Sequence, residues 1–148
     1  MSGLELIHGC VVAAHFARGW GGVLIEGPSG AGKSRLSLAL MAAGWRLVAD
    51  DYARVWSSGG RLYAAAPETI AGRMEVRGLG ILPVPHRETV RLLLAVRHQE
   101  APDRLPEAAT RAFCGLQAPL LEIDLREPPA AQVVALAARR LSQGRVLA

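Results

Sequence analysis

A glycine-rich segment between an apolar run and an amphipathic stretch constrains this chain more than any other feature. It matches the pattern GxxxxGK[ST] at every fixed position, and its residues are Gly27, Pro28, Ser29, Gly30, Ala31, Gly32, Lys33 and Ser34. Glycines permit positive φ angles, so successive backbone N–H groups can converge on phosphate oxygens. In such a loop the lysine reaches the β- and γ-phosphates and the next hydroxyl binds Mg²⁺. The segment therefore predicts a site for a nucleoside triphosphate with Mg²⁺.

The residues that flank this loop predict the secondary structure that the motif requires. Residues 23–25 are a short apolar run, typical of a strand that is buried on both faces. A helix should follow the loop, end at Gly44 and bury one apolar stripe. The members of that stripe are Leu36, Ala39, Leu40 and Ala43. Residues 46–49 predict the next buried strand, which completes a βαβ-like unit.

Two aspartates, Asp50 and Asp51, come directly after the second predicted strand. Ligands of open α/β sheets bind at the carboxyl ends of strands, so this pair should lie beside the glycine loop. A carboxylate there can bind Mg²⁺ or accept the proton of an attacking hydroxyl. In a regular strand the two side chains would point to opposite faces. A solvated turn is the alternative interpretation for either residue alone.

A second pair of charged residues, Glu75 and Arg77, stands just before Gly78 and Gly80. Side chains two positions apart in an extended segment share one face. A carboxylate and a guanidinium side by side suit a metal-bound triphosphate or an incoming phosphoacceptor. A surface ion pair beside a glycine turn is an equally open interpretation.

The rest of the chain favours strands. We expect one long strand or a hairpin over residues 4–16, a turn over residues 18–22, and a sharp turn within residues 74–82. A hairpin should form around residues 57–60, and further strands over residues 90–96 and 120–125. Pro128 and Pro129 should open a last helix over residues 130–141. The fold class that follows is α/β, with a mixed β-sheet flanked by helices in one domain over residues 1–148.

Composition limits the other functions that this chain could have. Seventeen basic residues against thirteen acidic ones give a net charge of +4. No basic run is interleaved with aromatic residues, so we expect no nucleic-acid partner. No run of about 18 apolar residues suggests a membrane span, and no leader is recognisable at the start, so we expect a cytoplasmic location. Cys10 and Cys114 do not suggest a disulfide framework.

Four ordered segments resemble the catalytic domain of HPr kinase/phosphorylase. They are His8 with Gly9, residues 27–34, residues 47–51 and residues 75–81. The resemblance covers about residues 8–82 and implies a P-loop fold similar to that of phosphoenolpyruvate carboxykinase. Because His8 stands near the start, it also implies a short form that consists of the C-terminal catalytic domain alone.

The resemblance further implies an ATP- and Mg²⁺-dependent kinase that phosphorylates a serine of HPr, the small phosphocarrier protein of sugar-transport phosphorelays. In the reverse direction such an enzyme uses inorganic phosphate and releases pyrophosphate. The arginine- and asparagine-bearing loop associated with dephosphorylation is not recognisable after Arg104, where residues 119–129 occupy the corresponding region. The kinase direction is therefore the better supported of the two. Members of this family form hexamers, which implies a homo-oligomer.

Carried over position by position, the resemblance gives the matching residues their roles. Asp51 would accept the proton in the kinase direction and donate it in dephosphorylation, with Asp50 as its close partner. Lys33 would contact phosphate. The metal ligands would be Ser34, Glu75 and Asp50. The side chains that assist at the phosphoryl centre would be His8, Arg104 and Arg77, with Arg104 resting on the short match of residues 103–105.

Two other functions remain open from the sequence. A small-molecule P-loop kinase would usually carry a lid and an acceptor site, for which the chain is short. A regulatory module that senses ATP without transferring phosphate would keep the glycine loop but would not need the acidic residues. Intact Lys33, Asp50 and Asp51 favour an enzyme over such a module.

Overall fold

The computed structural model describes residues 3–147, and within them the chain forms eleven strands, two α-helices and one 3₁₀ turn. The strands are β1 (Glu5–His8), β2 (Cys10–Phe16), β3 (Gly19–Glu26), β4 (Arg46–Ala49), β5 (Tyr52–Ser58), β6 (Arg61–Ala65), β7 (Arg73–Val76), β8 (Gly80–Pro83), β9 (Thr89–His98), β10 (Ala109–Phe113) and β11 (Leu116–Ile123). The helices are α1 (Lys33–Ala42) and α2 (Ala130–Ser142), and the 3₁₀ turn is Glu68–Ile70.

Most of the strands belong to one mixed sheet. Its order is β1-β5-β6-β9-β3-β2-β4, with β11 beside the end of β9 and β10 beyond it, while β7 and β8 pair separately. β9 is parallel to β3 and β11, and β2 is antiparallel to both β3 and β4. The carboxyl ends of β3, β4, β9 and β11 therefore meet at one edge of the sheet, and the loop that follows each strand emerges there.

The two faces of the sheet are covered by different structures. α1 and α2 pack on one face, where Leu40 and Val134 share a buried cluster with Val23 of β3. On the other face the sheet curls over itself, so that Val55 of β5 and Phe113 of β10 lie in a second buried cluster. The predicted mixed α/β sheet is confirmed, with both helices on the same face. None of the helices within residues 3–147 is long and apolar enough to span a membrane.

The start of the chain bends at Gly9, where β1 and β2 separate. Strand structure is confirmed over residues 5–16 except at Gly9, but β1 pairs with β5 and β2 pairs with β3 and β4, so residues 4–16 form neither one strand nor a hairpin. A Cβ atom at Gly9 would lie 2.7 Å from the carbonyl oxygen of Ile25. The Gly9 N–H also donates to the carbonyl of Asp51 at 2.8 Å. Only glycine permits this close approach of three backbone segments.

Gly9→Ala is expected to destabilise the fold by about 1–3 kcal/mol, because the added methyl group meets a backbone carbonyl that cannot rotate away. The free energy of unfolding in urea measures this effect. Gly3→Ala is the matched control, since a Cβ atom there meets nothing within 4 Å. Equal stability of the two variants would contradict the explanation given for the bend.

The helix after the glycine loop buries a stripe that differs from the predicted one. Its buried residues are Lys33, Leu36, Ser37 and Leu40. Ala39 and Ala43 are exposed, so the prediction was wrong for these two alanines. Burying an alanine removes little apolar area from water, so the two alanines do not determine which face of α1 is buried. The buried face instead includes Lys33, which contacts the glycine loop from the first turn of the helix. The helix ends as predicted, with Gly44 at a φ of +100°.

The remaining predictions of secondary structure were mostly correct. β5 and β6 form the predicted hairpin around Gly59 and Gly60, both with positive φ. The sharp turn between β7 and β8 and the strands β9 and β11 are confirmed, as is α2. The turn expected over residues 18–22 is wrong, because the chain turns at residues 17–18 and β3 already begins at Gly19. β10 was not predicted.

Candidate active site

The glycine loop joins the end of β3 to the start of α1. Gly30 and Gly32 adopt φ angles of +83° and +109°, which the motif requires of its glycines. The Lys33 Nζ atom donates to the carbonyl oxygens of Gly27 at 2.6 Å and Pro28 at 3.2 Å. Since glycine has no side chain to cap α1, the first N–H groups of the helix remain available to an anion. The loop has the local geometry of a phosphate cradle.

Asp51 lies at the centre of a γ-turn. The Tyr52 N–H donates to the Asp50 carbonyl at 2.8 Å, and Asp51 has a φ of +70°. This type of γ-turn is rare and strained for a residue with a side chain, and such strain concentrates at functional sites. Because β4 ends at Ala49, the two aspartates do not lie in a regular strand and their carboxylates make separate contacts.

The Asp51 carboxylate is exposed and pairs with His8. The His8 Nε2 atom lies 3.1 Å from Asp51 Oδ1. The His8 ring in turn packs near the ring of Tyr52, with 5.0 Å between the centroids. The imidazole holds the carboxylate in place at the surface, where a large molecule can reach it. The structure thus brings together two residues that the sequence separates by a helix and three strands.

The Asp50 carboxylate is half-buried and held at both oxygens. Oδ2 accepts the Glu75 N–H at 3.1 Å, which attaches the β7–β8 pair to the end of β4. Oδ1 accepts the Cys10 thiol at 3.6 Å. Burial, together with the neighbouring Asp50 charge, raises the pKa of this thiol to about 11, so that Cys10 stays a neutral donor. Asp50 is therefore a fixed carboxylate, in contrast to the exposed Asp51.

Arg77 and Arg104 lie on loops outside this network. β7 ends at Val76, so Arg77 lies in the turn before β8, and the argument that Glu75 and Arg77 share a face of an extended segment does not apply. Arg104 lies in the exposed loop between β9 and β10. That loop starts at the same sheet edge as the glycine loop, because β3 and β9 are parallel.

The other side of the glycine loop is formed by residues that the sequence did not suggest. His98 ends β9, and its Nδ1 accepts the N–H of Leu125 at 3.2 Å. A Cβ atom at Gly32 would lie 3.1 Å from Cγ of Arg126. Asp124 accepts the N–H of Arg126 at 3.0 Å, which lowers the pKa of the Asp124 carboxyl. One signal was available: residues 120–130 repeat the order strand, short loop and helix.

An ion pair holds the end of β3 just before the glycine loop. Arg111 of β10 donates to both carboxylate oxygens of Glu26, at 3.0 and 3.1 Å. These hydrogen bonds raise the pKa of the Arg111 guanidinium, which also lies 4.2 Å from the centre of the Phe113 ring. The strand that leads into the loop is thereby attached to the curled part of the sheet.

Arg111→Met is expected to lower the free energy of unfolding by about 1–3 kcal/mol, because Glu26 then keeps its charge without a partner in a site where it is only 17% exposed. Methionine preserves the contact with Phe113. In the control variant Arg97→Met the lost pair with Glu122 spans 4.0 Å and both side chains are over a third exposed, so a change within about 0.5 kcal/mol is expected. Similar losses of unfolding free energy in both variants would show that the Arg111–Glu26 pair stabilises the fold no more than an exposed pair does.

The candidate metal ligands Ser34, Asp50 and Glu75 offer oxygen atoms, the donors that Mg²⁺ prefers. Among residues 3–147, no group of three or more His, Cys, Asp or Glu side chains is arranged to hold a metal ion. Mg²⁺ bound with phosphates needs only one or two carboxylates, because waters and phosphate oxygens complete its shell. Asp50 contacts the backbone of Glu75, and Ser34 is exposed in the first turn of α1. This oxygen donor set fits Mg²⁺ accompanied by a nucleotide.

Fold and site together define an α/β domain that carries the GxxxxGK[ST] loop at a strand-to-helix junction, with carboxylates at the same sheet edge. The chain belongs to the family of the HPr Serine kinase C-terminal domain, whose family model matches residues 1–143. This confirms the family to which the sequence motifs pointed.

Curated relatives agree with this family. The chain is 48% identical over 64 residues to the HPr kinase/phosphorylase of Clostridium tetani, a match that covers 43% of this chain and 21% of that protein. It is 38% identical over 92 residues to the HPr kinase/phosphorylase of Clostridium novyi, covering 56% of this chain and 30% of that protein. The chain thus spans less than a third of the length of these relatives.

A solved structure supports the fold over nearly the whole chain. It is that of the HPr(Ser) kinase/phosphatase from Coxiella burnetii, with a TM-score of 0.78 and 23% sequence identity. The match covers 95% of this chain and 99% of that one. The curled mixed sheet with its two helices is therefore the fold of this neighbour as well.

Proposed function

We propose that this chain is the single catalytic domain, over residues 1–148, of an HPr kinase/phosphorylase that transfers a phosphoryl group from ATP to a serine of an HPr-type phosphocarrier. One observation carries the proposal. The exposed Asp51 stands in a strained turn at the sheet edge from which the glycine loop emerges, in a chain that belongs to this family. We place the protein in the cytoplasm, where such a phosphocarrier works.

The glycine loop would bind the nucleotide. Its N–H groups and those at the start of α1 would donate to phosphate oxygens, and Lys33 would contact the β- and γ-phosphates. Ser34, Asp50 and Glu75 would hold Mg²⁺, which neutralises charge that develops on the phosphates when it is bound. The hydrogen bond from Glu75 N–H to Asp50 supports this assignment, because it ties the two acidic positions together.

Asp51 would accept the proton of the serine hydroxyl as its oxygen attacks the γ-phosphorus atom. The bond from phosphorus to the bridging oxygen breaks, and ADP leaves with that electron pair. His8, 3.1 Å from Asp51 Oδ1, would orient the carboxylate toward the hydroxyl. Arg77 and Arg104 would approach the transferred group from their loops. The exposure of Asp51 supports a protein acceptor, because a serine on another protein can reach it.

The reverse reaction would use the same residues. Inorganic phosphate attacks the phosphoserine, the serine oxygen leaves and takes a proton from Asp51, and the product is pyrophosphate. The arginine- and asparagine-bearing loop associated with this direction in the family is not recognisable in residues 119–129, so we expect the kinase reaction to dominate. A homo-oligomer, by resemblance a hexamer, is part of the same proposal.

The test is phosphorylation of the cognate HPr by the purified protein with Mg²⁺-ATP, followed by intact mass and by mapping of the modified residue. The expected result is one added phosphate on a serine, lost again when inorganic phosphate is supplied if the reverse reaction operates. Nucleotide binding without transfer to HPr would overturn the proposal. A metabolite screen and a binding assay would then distinguish a small-molecule kinase from an ATP-sensing module.

A further inference from the structure

We propose that Cys10 is a positioning residue for phosphoryl transfer. Its thiol fixes the carboxylate of Asp50, the residue directly before Asp51 in the strained turn. This inference rests on the function proposed above, since it assigns Cys10 to the same site. Neither the glycine loop motif nor the acidic pair suggests it.

The contact with Asp50 is the first observation. Cys10 opens β2 and is only 1% exposed. Its Sγ donates to Asp50 Oδ1 at 3.6 Å, while the Glu75 N–H occupies Oδ2. The two donors come from β2 and β7, which approach Asp50 from different elements. A carboxylate that is hydrogen-bonded at both oxygens cannot rotate, so the thiol sets the direction in which Asp50 presents its remaining lone pairs.

The backbone on either side of Cys10 is the second observation. The Gly9 N–H donates to the carbonyl of Asp51 at 2.8 Å. Val11 pairs with Ala49, the last residue of β4. The residues before and after Cys10 are therefore both joined to the segment that carries the two aspartates.

A purely apolar role for Cys10 makes a different prediction. A buried cysteine usually packs as a small hydrophobic residue, and alanine would then replace it with only a loss of stability. Cys114 supplies a comparison within the same chain. Its thiol donates to the Val55 carbonyl at 3.4 Å and lies against the other buried cluster, beside β5 and away from the γ-turn. Only Cys10 donates to a side chain of the candidate site.

The kinetic experiment compares Cys10→Ala, Cys10→Ser and Cys114→Ala in the full chain, with Mg²⁺-ATP and HPr as substrates. We expect kcat to fall by roughly fivefold to twentyfold in Cys10→Ala, because a hydrogen bond to a charged group is lost, with the KM for ATP within about twofold of wild type. Serine keeps a donor at this position, so Cys10→Ser should recover most of the lost kcat. Cys114→Ala should match wild type, and thermal unfolding confirms that every variant is folded.

A spectroscopic readout does not depend on activity. The infrared S–H stretching band of Cys10, identified by its loss in Cys10→Ser, should shift in Asp50→Asn, while the Cys114 band stays in place. An unmoved Cys10 band, or a wild-type kcat in Cys10→Ala, would overturn the positioning role. If the wild-type protein did not phosphorylate HPr, the proposed function would fail, and the infrared bands alone would decide whether Cys10 holds Asp50.

Discussion

Replacing Lys33 with alanine is expected to abolish phosphoryl transfer and leave a folded domain. The ammonium group lies at the glycine loop, where it donates to Gly27 and Pro28, and it is the only lysine in the chain. Removing a cation that stabilises the charge of the transferred group costs at least about 100-fold in rate. The fold should persist because its buried clusters are apolar and lie mostly on the strands.

Two further variants separate charge from packing at this position. Lys33→Met keeps the buried aliphatic stem and removes only the ammonium, so it should be as inactive as Lys33→Ala and closer to wild type in thermal stability. Arg35→Met removes a cation from the exposed side of the same helix and should retain transfer. Intact mass of HPr after a timed reaction measures all three. Wild-type-like transfer by Lys33→Met would show that phosphoryl transfer does not need the Lys33 ammonium group.

Asp51→Asn is expected to bind nucleotide normally and to transfer phosphate about 100- to 10,000-fold more slowly, because the amide cannot accept the serine proton. The substitution is conservative for the backbone. Asparagine tolerates positive φ at least as well as aspartate, so the γ-turn and its contact with Gly9 should survive. The loss would therefore report chemistry and not unfolding.

The comparison variant for Asp51→Asn is Asp51→Ala. Alanine removes the carboxylate and also strains the left-handed backbone, so it should lose both activity and stability. Nucleotide titration and urea unfolding on both variants separate the two effects. Near-normal transfer by Asp51→Asn would show that another group accepts the proton, and Asp50 would be the first residue to examine.

The parts of the site that the sequence could predict are those encoded by neighbouring residues. The glycine loop needs a strand, glycines and a helix within a short stretch, and each was recognisable from residues 23–44. Asp50 and Asp51 were placed at a sheet edge because a buried strand precedes them. The turn between β7 and β8 followed from Gly78 and Gly80. In each case local spacing and chemistry sufficed.

The parts that could not be predicted depend on pairing between distant segments. β2 inserts between β3 and β4, which brings Cys10 beneath Asp50, and no local pattern indicates that order. The γ-turn at Asp51 lies between β4, which pairs with β2, and β5, which pairs with β1 across the bend at Gly9. The buried stripe of α1 was partly wrong because alanine spacing carries little information about which face a helix buries.

β9 occupies a distinctive place in the sheet. It pairs with β6 at its start, with β3 along most of its length and with β11 at its end. Its amide protons should therefore exchange with solvent only when the whole domain opens, while the separate β7–β8 pair can open by itself. The glycine loop follows β3, which pairs with β9, whereas Glu75 belongs to the β7–β8 pair, which should open more easily. The two parts of the candidate site should therefore differ in local stability. The glycine loop can stay rigid while the β7–β8 pair, which carries Glu75, opens and closes.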